Sequence, residues 1–155
     1  MGSNLGDRLG NLKQAIAALS PQMEVKAKSR VYETPPWGYT NQPMFLNQVI
    51  RVNTYVEPVP LLKHIKRLEM TLGREPSFPN GPRSIDIDLL FYDNLVLNTA
   101  SLALPHPHLH ERAFVLMPLN DIAPALMHPT IGKTVSQLLA SCDTSGITVY
   151  EKNDQ

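Results

Sequence analysis

Two aspartates stand two residues apart in the run Gly81-Pro82-Arg83-Ser84-Ile85-Asp86-Ile87-Asp88. In an extended chain alternate side chains share a side, so Asp86 and Asp88 face one way while Ile85, Ile87 and Leu89 face the other. Their Cα atoms are then about 7 Å apart. Carboxylates that close repel unless a cation lies between them, and Mg2+ favours carboxylate oxygens together with waters and substrate phosphates. Arg83 lies three residues upstream, and Arg74, His106 and Arg112 add a cationic rim whose guanidinium forks match phosphate oxygens. The set is a candidate magnesium and polyphosphate site. Taken alone, the two acids would also suit a solvated sheet face.

A second group has the chemistry to read a flat ring. Phe45 and Asn47 are two apart and so share a side opposite Leu46. An aromatic platform beside an amide lets a heterocycle stack while the amide pairs with its edge. Phe114, just after Arg112, is a candidate second slab, and the alternative for either phenylalanine is a place in the core. Trp37 follows two prolines as a loop anchor or a lid. His106, His108 and His110 alternate, which admits a reading as zinc ligands, but Cys142 is remote and no neighbour supplies a fourth ligand. Loop histidines are the simpler reading for His108 and His110. No Walker loop, nucleophile elbow or His-Glu-x-x-His helix occurs, and Gly2-Ser3-Asn4-Leu5-Gly6 lacks the dinucleotide-binding spacing.

These residues need a scaffold to position them. Leu5, Leu9, Leu12, Ile16 and Leu19 recur at helical spacing, with Asn4 or Asp7 as cap. A strand is predicted over 23–34, ended by Pro35-Pro36-Trp37-Gly38, and another over 45–53. Beyond Pro58, Leu61, Leu62, Ile65, Leu68 and Leu72 mark a helix closed by Gly73. Residues 75–82 are irregular, 84–92 read as a strand, and 95–97 as its hairpin partner. Helices follow near 111–119 and 135–139, then a short apolar run over 147–150. This order predicts an α+β fold, a ferredoxin-like antiparallel sheet with helices packed on it and long loops over the site. The strand expected before the first helix is missing, since only Met1 and Gly2 precede the first turn.

At 155 residues the chain is the size of one domain, 1–155. Fourteen Lys and Arg balance fourteen Asp and Glu, which argues against a duplex-binding surface, so no nucleic acid polymer is expected as partner. One cysteine, no apolar run long enough for a bilayer and no leader pattern make a cytoplasmic protein without a membrane partner the expectation. Fourteen prolines are present, and most of them punctuate the segments at 35–36, 58–60, 76–82, 105–107 and 124–129.

The chain resembles the 6-hydroxymethyl-7,8-dihydropterin pyrophosphokinase family of folate biosynthesis. The likeness is carried in order by Gly2-Ser3-Asn4-Leu5-Gly6, Thr34-Pro35-Pro36-Trp37-Gly38, Phe45-Leu46-Asn47, Leu72-Gly73-Arg74, Gly81 to Leu89, Leu104-Pro105-His106 and Arg112-Ala113-Phe114-Val115-Leu116. It implies transfer of the β,γ-diphosphate of ATP, the co-substrate, to the hydroxymethyl oxygen of the pterin, releasing AMP. Arg74, Arg83, Asp86 and Asp88 would carry the reaction, the two acids holding two Mg2+ ions. Arg74, Arg83, His106 and Arg112 would clamp phosphates. Phe45 and Phe114 would sandwich the pterin, Asn47 would bond its edge, and Thr34, Pro36 and Trp37 would complete recognition. The loops 34–44 and 75–82 would close over ATP. Glu75 to Asn80 lack the basic residues common there in the family, so a less cationic lid is expected. The resemblance also implies a first strand running into Gly2-Ser3-Asn4, hence residues upstream of this sequence, a misplaced start or a fusion to another folate-pathway enzyme. A non-catalytic binding domain of the same shape is the alternative function, and a zinc hydrolase a third.

Overall fold

The computed structural model describes residues 1–74 and 78–150. In chain order the elements are β1 (Gly2–Ser3), α1 (Arg8–Ala18), β2 (Met23–Lys28), β3 (Tyr32–Thr34), β4 (Phe45–Asn47), β5 (Ile50–Thr54), α2 (Pro58–Thr71), β6 (Leu97–Asn98), β7 (Ala103–Leu104), α3 (Ala113–Ile122), α4 (Val135–Ala140) and β8 (Thr148–Val149). A 3-10 turn, Leu109–Glu111, leads into α3. All named strand pairs are antiparallel: a four-stranded sheet in the order β1-β4-β3-β8, and the pairs β2-β5 and β6-β7. The fold is α+β, with helices packed on antiparallel sheets. Among the described residues no helix is long and apolar enough to cross a membrane.

Helix α1 starts later than the leucine spacing predicts. Gly6 has φ +70°, which takes the chain out of helical geometry, and Leu5 is exposed. Asp7 is the cap, its carboxylate accepting from the Gly10 amide at 3.1 Å. In α2, Pro58 occupies the first turn, where its missing N–H is no loss, and Gly73 at φ +92° ends the helix as expected.

The two long strands predicted over 23–34 and 45–53 are each divided in two. Around Ser29 and Val49 side chains replace part of the ladder: the Val49 amide donates to Ser29 Oγ at 3.0 Å, and Gln48 Nε2 donates to the Ser29 carbonyl at 2.9 Å. The backbone still crosses once, from Ser29 N to Val49 O. Beyond the break β3 and β4 turn into the larger sheet, while β2 and β5 remain a pair.

The strand predicted over 84–92 is a correction of a different kind. The segment is extended and keeps its alternation, with Ile85 and Ile87 buried, but its ladder is a single bridge of Asp86 to Gly2 with two hydrogen bonds of 2.8 Å. Residues 95–97 do not return on it; β6 pairs with β7 instead. On the far side of Gly2, β1 pairs with β4, Gly2 opposite Asn47. Gly2–Ser3 therefore lies between β4 and the aspartate segment.

Apolar packing falls into two groups. Leu12 and Ala15 of α1 and Leu19 at its C-cap meet Leu61 and Ile65 of α2 over Leu46, Ile85 and Ile87. Leu116 and Leu119 of α3 and Val135 and Leu138 of α4 pack with Val49 and Leu109. Strand β3 is tied to α3 by Tyr32, whose hydroxyl donates to Asp121 at 2.9 Å, with Arg30 on the same carboxylate.

Candidate active site

Between the four-stranded sheet and α3 opens a cavity of about 200 Å3. Strand alternation supplies one wall. Leu46 is fully buried against the first core, so Phe45 and Asn47 turn into the cavity, as predicted from their spacing. Asn47 Nδ2 donates to Thr34 Oγ1 across the β3-β4 pair at 2.7 Å, which fixes the amide and brings the buried Thr34 to the same wall. The opposite wall is Arg112 and Phe114 at the start of α3, with Trp37 from the proline loop. The Arg112 guanidinium lies 4.7 Å from the centre of the Trp37 ring and 5.7 Å from that of Phe114, within cation–π range of both.

The floor is the extended aspartate segment. With Ile85 and Ile87 packed inward, Asp86 and Asp88 both reach the cavity, together with Arg83, and His106 joins them after β7. Asp86 Oδ1 is held by Arg74 Nη1 at 3.1 Å and Arg83 Nη1 at 3.2 Å, whereas Asp88 is exposed. Burial pushes the His106 imidazole below its ordinary value; Asp88 pulls the other way, and Arg112 and His108 reinforce the fall. It therefore faces the acids as a neutral ring near pH 7.

Of the residues assigned from the sequence to phosphate, metal and pterin binding in the pyrophosphokinase reading, Thr34, Trp37, Phe45, Asn47, Arg83, Asp86, Asp88, His106, Arg112 and Phe114 line this one cavity. Two do not. Arg74 stands behind Asp86, held by Glu69, and Pro36 lines a neighbouring hollow on the outer side of Trp37 and Phe114. His108 and His110 pair loosely with Glu111, each at 3.4 Å, and no group of three or more His, Cys, Asp or Glu among the described residues is placed to hold a metal. The zinc reading thus has no ligand set there.

The donor set fits a metal carried on a nucleotide. Two hard carboxylates supply part of a magnesium shell and leave the remainder to phosphate and water. The Nε atoms of Arg83 and Arg112 are buried without a hydrogen-bond partner among the described residues, as anion-binding guanidiniums without their anion would be.

Several contributors carry no role at the site in the sequence reading. Asn4, buried in the Gly2-to-Gly6 run, accepts the Arg83 amide on Oδ1 at 2.7 Å and donates through Nδ2 to Gln42 Oε1 and the Pro43 carbonyl. Gln42 in turn donates to the Asn80 carbonyl, and Tyr39 meets Phe78 edge-on at 4.9 Å. The two loops expected to cover the site therefore touch each other. Glu75, Pro76 and Ser77 of the expected lid lie outside the described residues. The other omission is Glu69, whose position on the apolar stripe of α2, four residues after Ile65 and eight after Leu61, was its signal.

Comparison with known proteins identifies the family. A model of the 7,8-dihydro-6-hydroxymethylpterin-pyrophosphokinase family matches residues 1–124. The chain is 44% identical over 153 residues to the 2-amino-4-hydroxy-6-hydroxymethyldihydropteridine pyrophosphokinase of Methylorubrum extorquens, covering 97% of this chain and 96% of that protein. It is 42% identical over 137 residues to the protein of the same name from Aquifex aeolicus, covering 88% and 86%. With the folic acid synthesis protein FOL1 of Dictyostelium discoideum it shares 41% identity over 145 residues, 94% of this chain but only 22% of the length of that relative.

Proposed function

The chain belongs to the 7,8-dihydro-6-hydroxymethylpterin-pyrophosphokinase family, and we propose that it transfers the β,γ-diphosphate of ATP to the hydroxymethyl oxygen of 6-hydroxymethyl-7,8-dihydropterin in the cytoplasm, as a step of folate biosynthesis. The carrying observation is that two carboxylates, the Arg83 and Arg112 guanidiniums and a stacking wall all line one cavity. In the reaction the pterin oxygen forms a bond to the β-phosphorus. The bond from that phosphorus to the bridging oxygen of AMP breaks, AMP leaves, and the hydroxyl proton passes to solvent.

Asp86 and Asp88 would hold magnesium, two ions in the fullest version of the reading. When bound, magnesium supplies charge neutralisation on the phosphate oxygens. Phe45 and Phe114 stack the pterin, and Asn47, held by Thr34, pairs with its edge. Trp37 and Pro36 close the proline-loop side. Arg83 and Arg112 grip phosphates, with His106 as a neutral hydrogen-bonding partner near pH 7. Arg74 and Arg83 both pair with Asp86. To hold a cation Asp86 would give up arginine partners, and Arg83, so released, would be available to the phosphates. No residue is assigned as general base; positioning and electrostatics would carry the rate. We read 1–155 as one ferredoxin-like pyrophosphokinase domain, and the name and greater length of the FOL1 relative support a fusion or association with another folate-pathway enzyme. The deciding assay is AMP formation from ATP and the hydroxymethyl-dihydropterin with and without Mg2+; a chain that binds both substrates yet forms no AMP with Mg2+ present is not this enzyme.

A further inference from the structure

Glu69 is 2% exposed on α2 and is not among the residues lining the cavity, yet it touches the machinery from behind. Its Oε2 accepts from the Ile87 amide at 2.8 Å and from Arg74 Nη1 at 2.8 Å, and the same Nη1 reaches Asp86 Oδ1 at 3.1 Å. Its Oε1 meets Lys66 Nζ at 3.1 Å. We propose that Glu69 is a positioning residue for the metal-nucleotide site, setting the direction of Asp86 and Asp88 through the peptide between them and keeping Arg74 docked when Asp86 changes partners. This rests on the pyrophosphokinase reading above.

The geometry supports the first role directly. On one edge of the aspartate segment the Asp86 N–H and C=O bond to Gly2. The Ile87 N–H points to the opposite edge, where Glu69 takes the place of a neighbouring strand. Held at both edges, the segment cannot rotate about its own axis, and that rotation decides where both carboxylates point. The second role follows from charge. Arg74 is shared by two carboxylates; with Glu69 neutral, its guanidinium would belong to Asp86 alone and compete with any cation for that oxygen. An apolar residue at 69 would fill the space but leave the Ile87 amide buried without a partner.

Glu69→Gln separates these effects from simple core filling, because it retains an acceptor for Ile87 while removing the charge that holds Arg74. Binding of α,β-methylene-ATP with Mg2+, followed by calorimetry and needing no turnover, is expected to weaken about 10- to 100-fold. The Mg2+ concentration for half-maximal AMP formation should rise by a similar factor, and pterin affinity should not change. Adding Arg74→Gln to Glu69→Gln should then cost less than it does in the wild-type background, since the two act together. Binding within twofold of wild type, with only the melting temperature lowered, overturns the proposal. Should Gln at 69 prevent folding, Glu69→Asp, which withdraws the carboxylate by one methylene, is read in the same titration with the same two outcomes. A wild-type chain that neither binds the magnesium nucleotide nor forms AMP overturns the pyrophosphokinase reading itself, whereas a wild type that does both beside a matching Glu69→Gln overturns the role of Glu69 alone.

Discussion

Asp88 and Asp86 have the same chemistry but different surroundings, and that difference makes their replacements informative. Asp88 is exposed and makes no ion pair among the described residues, so Asp88→Ala should leave stability within about 0.5 kcal/mol while AMP formation falls on the order of 100-fold. Kinetics beside thermal melting checks both halves. Asn47 is bound to a buried hydroxyl, so Asn47→Ala would remove the proposed contact to the pterin edge and also strand Thr34 Oγ1. The expected result is a KM for the pterin raised about tenfold, with the Mg2+ requirement unchanged.

At the scale of elements, the strand break at Ser29 is the test of why β3 and β4 leave the β2-β5 pair. The Ser29 hydroxyl accepts the buried Val49 amide, and Ser29→Ala leaves that N–H without its partner at about 1–3 kcal/mol, measurable as a lowered urea midpoint. The turn before α4 adds a pH dependence. Buried His128 accepts through Nδ1 from the Thr130 and Ile131 amides, and burial pushes its imidazole below the ordinary value of about 6.5. A folded value below the unfolded one favours the neutral ring. Its contribution is complete above the unfolded value and is lost as pH falls through and below it. Melting temperatures between pH 8 and 5 should fall less steeply in His128→Asn, which keeps an acceptor but does not titrate; identical slopes would rule this turn out as the source.

For the whole molecule, the site joins parts that belong to different packing groups. The aspartate segment rests on the α1-α2 core, Arg112 and Phe114 ride on α3, and Phe45 and Asn47 come from the sheet between them. A magnesium nucleotide that bridges these parts should stabilise the chain by about 2.7 kcal/mol at a hundred times its dissociation constant. Thermal melting with α,β-methylene-ATP and Mg2+ should show the rise, and chelation of the metal with EDTA should reverse most of it. An unchanged melting temperature would mean that the cavity does not take the nucleotide.

Much of this site was legible from spacing, because side chains two apart in an extended chain share a side whatever the chain packs against. That alone placed Phe45 with Asn47 and Asp86 with Asp88, and the motif order placed the family. Contacts set by long-range packing were not legible. The single bridge to Gly2, the Ser29 break, the return of β6 onto β7 rather than the aspartate segment, and the withdrawal of Arg74 behind Asp86 all depend on which distant backbone or carboxylate fills a given edge. Glu69 shows the boundary most sharply: an acid on an apolar stripe can be noticed in the sequence, but its partners, a peptide N–H 18 residues away and a guanidinium beyond the end of its helix, exist only once the helix and the extended segment have packed together.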